Sequence, residues 1–153
     1  MNVRNATLED MKRLGHIMAM SFRSAFADFV TQQTLDACAR EDRCAALLEG
    51  VFRSGAMHFL MGEDSGMLVW KASEDGAEII CVHSLPESWG SGLGHAMMET
   101  ALEQMGNVKV TLWVFEENRR ARRFYEKHGF CWNGCSRVSE FDGAMEVCYV
   151  RNV

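Results

Sequence analysis

Between an apolar run, Glu78-Ile-Ile-Cys-Val-His-Ser-Leu85, and a stretch of helical periodicity lies Pro86-Glu-Ser-Trp-Gly-Ser-Gly-Leu-Gly-His-Ala-Met-Met98, with glycine at every second position from 90 to 94. A strand, a glycine turn and a helix in immediate succession commit this part of the chain to an α/β arrangement in which the helix begins at the end of the strand. Gly90, Gly92 and Gly94 have no Cβ, so successive N–H groups can face a ligand, and the helix start behind them adds the positive end of its dipole. The segment reads as an anion cradle suited to a pyrophosphate.

Spacing decides against two nucleotide fingerprints. A dinucleotide-binding turn needs G-x-G-x-x-G, and with glycines at 90 and 92 its third position falls on His95. A phosphate-binding P-loop needs G-x-x-x-x-G-K-[ST], and no Gly-Lys-Ser/Thr follows the turn. A module for ATP or NAD is therefore disfavoured.

Farther along, Leu112-Trp-Val-Phe115 reads as a strand and Asn118-Arg-Arg-Ala-Arg-Arg-Phe-Tyr-Glu-Lys-His-Gly-Phe130 as a helix. The run Ser88 to Met98 resembles the acyl-CoA loop of the GNAT superfamily of N-acetyltransferases, Arg/Gln-x-x-Gly-x-Gly/Ala, with Trp89 in place of Arg or Gln. The run Asn118 to Phe130 resembles the second signature of that family, N-x-x-A-x-x-x-Y-E-K-x-G-F. Specific similarity covers Glu78 to Phe130, about a third of the chain.

The resemblance implies acetyl-CoA as co-substrate and a primary amine, small molecule or peptide, as acceptor. By the same resemblance Val82 and Ser84 offer backbone contacts to the pantetheine arm. The N–H groups of Trp89, Gly90, Ser91, Gly92, Leu93, Gly94 and His95 are assigned to the pyrophosphate. Because the cradle works through main-chain donors, Trp89 removes a charge contact and leaves the cradle in place.

Asn118 is an N-cap for the arginine-rich helix and a candidate cofactor contact. Arg119, Arg120, Arg122 and Arg123 crowd its first turns. Either they form a solvated helix face, or two or three of them reach phosphate, with Arg120 and Arg123 as candidates.

For catalysis, transfer from a thioester to an amine needs a neutral nucleophile, charge stabilisation at the carbonyl and a proton for the departing thiolate. Tyr125 aligns with the family tyrosine that supplies that proton; the alternative is a half-buried core aromatic. Glu78 and His83 are candidate bases, with activated water as the remaining option. Alternation along a regular strand puts residues five apart on opposite faces, so the two cannot serve one substrate unless a bulge intervenes. Cys81 has no Cys-His-acid order around it, so direct attack in a ternary complex is expected, without a covalent enzyme intermediate. The alternative to an enzyme is a catalytically silent CoA-binding sensor of the same fold.

Length and composition fit one domain over residues 1–153, with 48% hydrophobic residues for a core. The formal charge of -5 argues against nucleic acid and anionic membranes and favours cationic partners. No stretch approaches the ~18 apolar residues of a membrane span, and the amino end lacks a signal-peptide run, so a cytoplasmic location is expected. Six cysteines without a C-x-x-C pair are expected to be free thiols, with Cys131 and Cys135 buried in the core. His16, His58 and His128 have no i, i+4 partner, and no metal is expected. A homodimer is an expectation from the family alone.

The elements follow from periodicity and punctuation. Thr7-Leu-Glu-Asp10 reads as a capping box before a helix bearing Met11, Leu14, Ile17 and Met18, continued by a stripe of Phe22, Phe26, Phe29 and Val30. The stripe reads as core with one ring available to the acceptor pocket. A second helix carries Leu35 to Val51 and ends near Gly55. Strands are expected at Met57 to Met61, Met67 to Trp70, Glu78 to Ser84, Val108 to Phe115, Phe130 to Val138 and Ala144 to Val150, with Glu140-Phe-Asp-Gly143 as a solvated acidic turn. The expected order, β-α-α-β-β-β-α-β-α-β-β, is the GNAT order. The fold class is α/β, a GNAT-like sandwich with a mixed, mostly antiparallel central sheet flanked by helices.

Overall fold

The computed structural model describes residues 1–153. Seven strands form one sheet in the order β1-β2-β3-β4-β5-β7-β6. They are β1 (Val3–Asn5), β2 (His58–Gly62), β3 (Gly66–Ser73), β4 (Gly76–Ser84), β5 (Lys109–Phe115), β6 (Cys131–Val138) and β7 (Met145–Arg151). Only β4 and β5 pair in parallel. Five helices flank the sheet: α1 (Met11–Phe26), α2 (Gln32–Cys38), α3 (Glu41–Ser54), α4 (Leu93–Met105) and α5 (Arg119–Lys127).

The expected order holds with one addition, because the predicted helix through Leu35 to Val51 is two helices. The backbone leaves the helical region at Ala39 (φ -91, ψ 53) and Arg40 (φ -108, ψ 128). Ala39 is buried beside Phe22, Val30 and Leu35, and α3 restarts with Glu41 and Asp42 in its first turn, where the dipole favours acidic residues. The phenylalanine stripe is interrupted too: α1 stops at Phe26, so Phe29 and Val30 lie beyond the helix.

Alternation along β2 and β3 divides two cores. Leu60, Leu68 and Trp70 pack with Leu93, Met97 and Tyr125 under α4 and α5. Phe59, Met61, Met67 and Val69 pack with Leu14, Ile17 and Leu48 under α1 and α3. Each such fully buried aliphatic side chain contributes roughly 1.5–3 kcal/mol. The two helices of the second layer touch closely at Gly15, where a Cβ would stand 2.6 Å from the Ala45 backbone nitrogen. Any larger residue at 15 would force α1 and α3 apart. At the amino end, Thr7 N–H donates to Asp10 Oδ2 at 2.7 Å, so the capping box is realised.

Two irregularities in β4 open the middle of the sheet. Val69 pairs with Cys81 but Trp70 pairs with Ile79, so Ile80 is an extra residue in the ladder. Ala77 and Ile79 therefore face the α4 and α5 core, whereas Cys81 packs on the α1 and α3 side. The pairing of β4 with β5 runs only from Gly76 opposite Lys109 to Ile79 opposite Leu112. Beyond the bulge the two strands separate.

Candidate active site

The separation of β4 and β5 opens a cavity of about 990 Å³ whose walls include Ile80 to Ser84 on one side and Leu112 to Phe115 on the other. Its volume lies at the upper end of the range for ligand pockets. Val82 and Ser84 both line it, on the stretch of β4 that has lost its β5 partner.

At one end lies the glycine turn. Gly90 and Gly92 have φ of 78° and 91°, left-handed conformations that favour glycine. Of the seven N–H groups expected to bind, three are engaged within the loop: Trp89 N–H donates to Pro86 O, Ser91 N–H to Ser88 O, and Leu93 N–H to Ser91 Oγ. The N–H groups of Gly90, Gly92, Gly94 and His95 have no protein partner, and those of Gly94 and His95 belong to the first turn of α4. Four of the seven are therefore free to donate, an arrangement that fits a pyrophosphate.

Trp89 turns out to be a support. Its indole Nε1 donates to Ser84 O at 3.2 Å, tying the loop to the end of β4. The Arg120 guanidinium lies 3.9 Å from its ring centroid. A cation from α5 thus stands beside position 89. Arg123 also lines the cavity. Arg122 does not; it donates to Tyr149 Oη and to Glu116 O, each at 2.8 Å, and is structural. Asn118 caps α5, its Oδ1 accepting from Ala121 N–H at 3.2 Å, and borders the same cavity.

Inside the cleft, Tyr125 is 8% exposed. Its hydroxyl has no protein hydrogen-bond partner and is open to the cavity, since no buried polar side-chain atom is left unpaired. Burial, with a smaller contribution from Cys81, pushes its pKa up, so it keeps its proton. Burial likewise pushes the Cys81 thiol to about 12, so it is no thiolate nucleophile.

His83 is 6% exposed and bonded through Nδ1 to Ser21 Oγ at 3.0 Å. Dehydration lowers its pKa to about 4, so near neutrality it is an uncharged ring that accepts hydrogen bonds and holds a proton poorly. With Nδ1 paired, Nε2 is the atom open to the cavity. The Ile80 bulge puts Glu78 on the same face as His83, against the regular alternation. Yet Glu78 lies where β4 and β5 are still paired, its carboxylate 4.0 Å from Lys71 Nζ, and it is not part of the cavity wall. The structure does not bring Glu78 to the site.

Residues 12–130 match the model of the acetyltransferase (GNAT) family. The chain belongs to the GNAT acetyltransferase family. Among solved structures it is similar to the PaiA N-acetyltransferase of Thermoplasma acidophilum in complex with coenzyme A, at 21% identity over 99% of this chain and 98% of that one, TM-score 0.81. It is also similar to a ribosomal-protein-alanine N-acetyltransferase of Brucella melitensis, at 18% identity over the whole of both chains, TM-score 0.72. None of the curated proteins matches significantly.

The other end of the GNAT cleft is aromatic. Phe22 and Phe26 of α1 line it, with ring centroids 4.6 Å apart. Phe26 meets Phe115 of β5 at 5.0 Å, and Phe141 of the β6–β7 turn meets Phe22 at 5.6 Å. The acidic turn is exposed at Glu140, Asp142 and Gly143, as expected, and it is also anchored. Asp142 accepts from Thr31 N–H at 2.7 Å and from Thr34 Oγ1, which clamps the turn to the start of α2 and holds its carboxyl below the usual range. Only Glu140 of that acidic pair lines the cavity.

Elsewhere, Cys131 and Cys135 are exposed, contrary to expectation. Their strand, β6, is the sheet edge and is exposed along its whole length. All six cysteines are free thiols. No helix of this acetyltransferase is long and apolar enough to cross a membrane. Sequence reasoning missed one group: His95 and Glu99, spaced i, i+4 on α4, stand beside His128.

Proposed function

We propose that this GNAT acetyltransferase moves an acetyl group from acetyl-CoA to a primary amine by direct attack. The observation that carries this reading is one cleft with four unpaired loop N–H groups at one end and the unpaired phenol of Tyr125 inside it. Acetyl-CoA supplies an activated thioester; transfer forms an amide bond and releases the thiol of coenzyme A. The loop donors, Arg120 and Arg123 hold the pyrophosphate and nucleotide phosphate, while Val82 and Ser84 flank the pantetheine arm. Tyr125, protonated and desolvated, gives its phenolic hydrogen to the departing sulfur and regains one from solvent.

The acceptor enters from the aromatic end, where dehydration favours the neutral amine. His83 Nε2 accepts a hydrogen bond from the amine and orients it; with its depressed pKa it does not store the proton, which leaves through water. The negative chain and Glu140 at the rim favour a cationic molecule on approach.

The test is calorimetric titration with acetyl-CoA beside NAD and ATP, followed by release of free thiol against a panel of amines. Saturable binding of acetyl-CoA alone and amine-dependent thiol release are expected. Binding without turnover on any amine would instead make the chain a CoA-responsive sensor. Absence of binding would overturn the cradle.

A further inference from the structure

On the outer rim of the cleft the first turn of α4 meets the last turn of α5. A Cβ at Gly94 would lie 3.0 Å from the Phe124 ring, so the missing side chain lets α5 approach until His128 reaches His95. His95 Nδ1 and His128 Nε2 are 2.9 Å apart. Glu99 stands one turn on from His95 along the same face of α4, and the ligand atoms of all three residues lie within 4.8 Å of one another.

The His128 ring is already oriented. Its Nδ1 is 2.9 Å from Phe124 O. A carbonyl oxygen only accepts, so Nδ1 carries the hydrogen and the neutral ring presents the Nε2 lone pair towards His95 and Glu99. A backbone carbonyl behind one ring nitrogen is the usual device that fixes the tautomer of a metal-binding histidine.

We propose that His95 Nδ1, the Glu99 carboxylate and His128 Nε2 bind a divalent transition-metal ion. Two imidazoles and one carboxylate suit Zn²⁺, with the fourth position open to water. Without metal, His95 Nδ1–H donates to His128 Nε2. On binding, both lone pairs turn to the ion and His95 carries its hydrogen on Nε2, so the neutral pair loses no proton. The site stands on its own geometry and does not rest on the cofactor reading, although His95 and His128 also border the cleft.

The experiment is titration of chelator-treated protein with Co²⁺ alone, read by visible absorption, with Zn²⁺ displacing it. A single equivalent with tetrahedral bands and no thiolate charge-transfer band is expected. Glu99→Gln and His128→Gln should each weaken binding about 10–100-fold, the size of loss that even supporting residues of a metal site produce. Removing both exposed cysteines, Cys131→Ser with Cys135→Ser, should change nothing. Melting curves without metal check that the variants fold, and the exposed Glu99 provides a mild substitution should His128→Gln fail to fold. No binding, a charge-transfer band that the cysteine variant abolishes, or unchanged affinity in Glu99→Gln would overturn the site.

Discussion

The two ends of the cleft are built from different material. The end proposed for the cofactor is built around main chain from one contiguous segment, Pro86 to His95, backed by a helix N-terminus, with side chains of α5 beside it. The aromatic end, proposed for the acceptor, is side chains from α1, β5 and the β6–β7 turn, with Phe26, Phe115 and Phe141 meeting from residues far apart in sequence. Backbone donors serve whatever side chains surround them, which is why Trp89 can stand where a charged residue is usual. A wall of side chains has no such tolerance, and under the proposed function its shape would choose the acceptor. Substitutions should therefore separate cleanly: those at the loop move acetyl-CoA affinity, and those at the aromatic wall move acceptor kinetics.

Tyr125 lies between the two ends and gives the largest expected effect. Tyr125→Phe keeps the ring packed against Phe124 and Phe130 and removes only the hydroxyl, the proposed proton donor. A fall in kcat of about 100-fold or more is expected, with the acetyl-CoA Kd nearly unchanged, the range seen when a general acid is lost. Equal loss of affinity and turnover would assign the phenol to cofactor binding and break the division.

Next comes a pH dependence that belongs to the aromatic end. His83 has its folded pKa depressed to about 4 from an ordinary 6.5. Between these values the unfolded chain binds the extra proton, so stability is full above pH 6.5 and falls as pH drops towards 4, by on the order of 3 kcal/mol. Denaturant unfolding across that range should show the slope in the wild type and its loss in His83→Gln. Asp10, lowered to about 2 chiefly by its hydrogen bond from Arg4, acts only at more acidic pH and does not confuse the window.

The same contrast explains what could be read from the chain. The glycine loop, the Asn118 cap and the order of elements along the chain are local: each is written in contiguous residues by spacing or periodicity. The Ile80 bulge is not, because only pairing against Val69 and Trp70 reveals that one residue is extra. Without it, Glu78 and His83 fall on opposite faces and neither role can be judged. The break at Ala39, the anchoring of Asp142 on α2 and the exposure of Cys131 and Cys135 likewise depend on which element each residue meets. The His95, Glu99 and His128 cluster was half legible, as the i, i+4 pair, but its third member comes from another helix.

Arg120 sharpens the comparison at the cofactor end. Arg120→Gln should weaken acetyl-CoA about tenfold, a loss on the scale of one charge-assisted hydrogen bond. The difference from wild type should shrink at high salt. If the stack on Trp89 is what holds the guanidinium in place, Trp89→Ala should weaken binding too, and the double variant should be little worse than the poorer single. Additive losses would mean that the two residues act separately, with Trp89 serving only its bond to Ser84.

The smallest expected effect is at Asp142, far from any reacting atom. Its φ of 56° is left-handed, so alanine would confound strain with lost bonding. Asn tolerates that backbone but offers one accepting oxygen in place of two, so Asp142→Asn removes one of the bonds to Thr31 and Thr34 and leaves the turn intact. A stability loss of about 1 kcal/mol is expected, the usual worth of a single such bond. Loosening the turn frees Phe141, which packs on Phe22 and Phe115, so the acceptor KM should rise while the acetyl-CoA Kd stays put. A shift in Kd with KM unmoved would show that the aromatic wall and the glycine loop are mechanically one unit, and that the difference in material does not divide their functions.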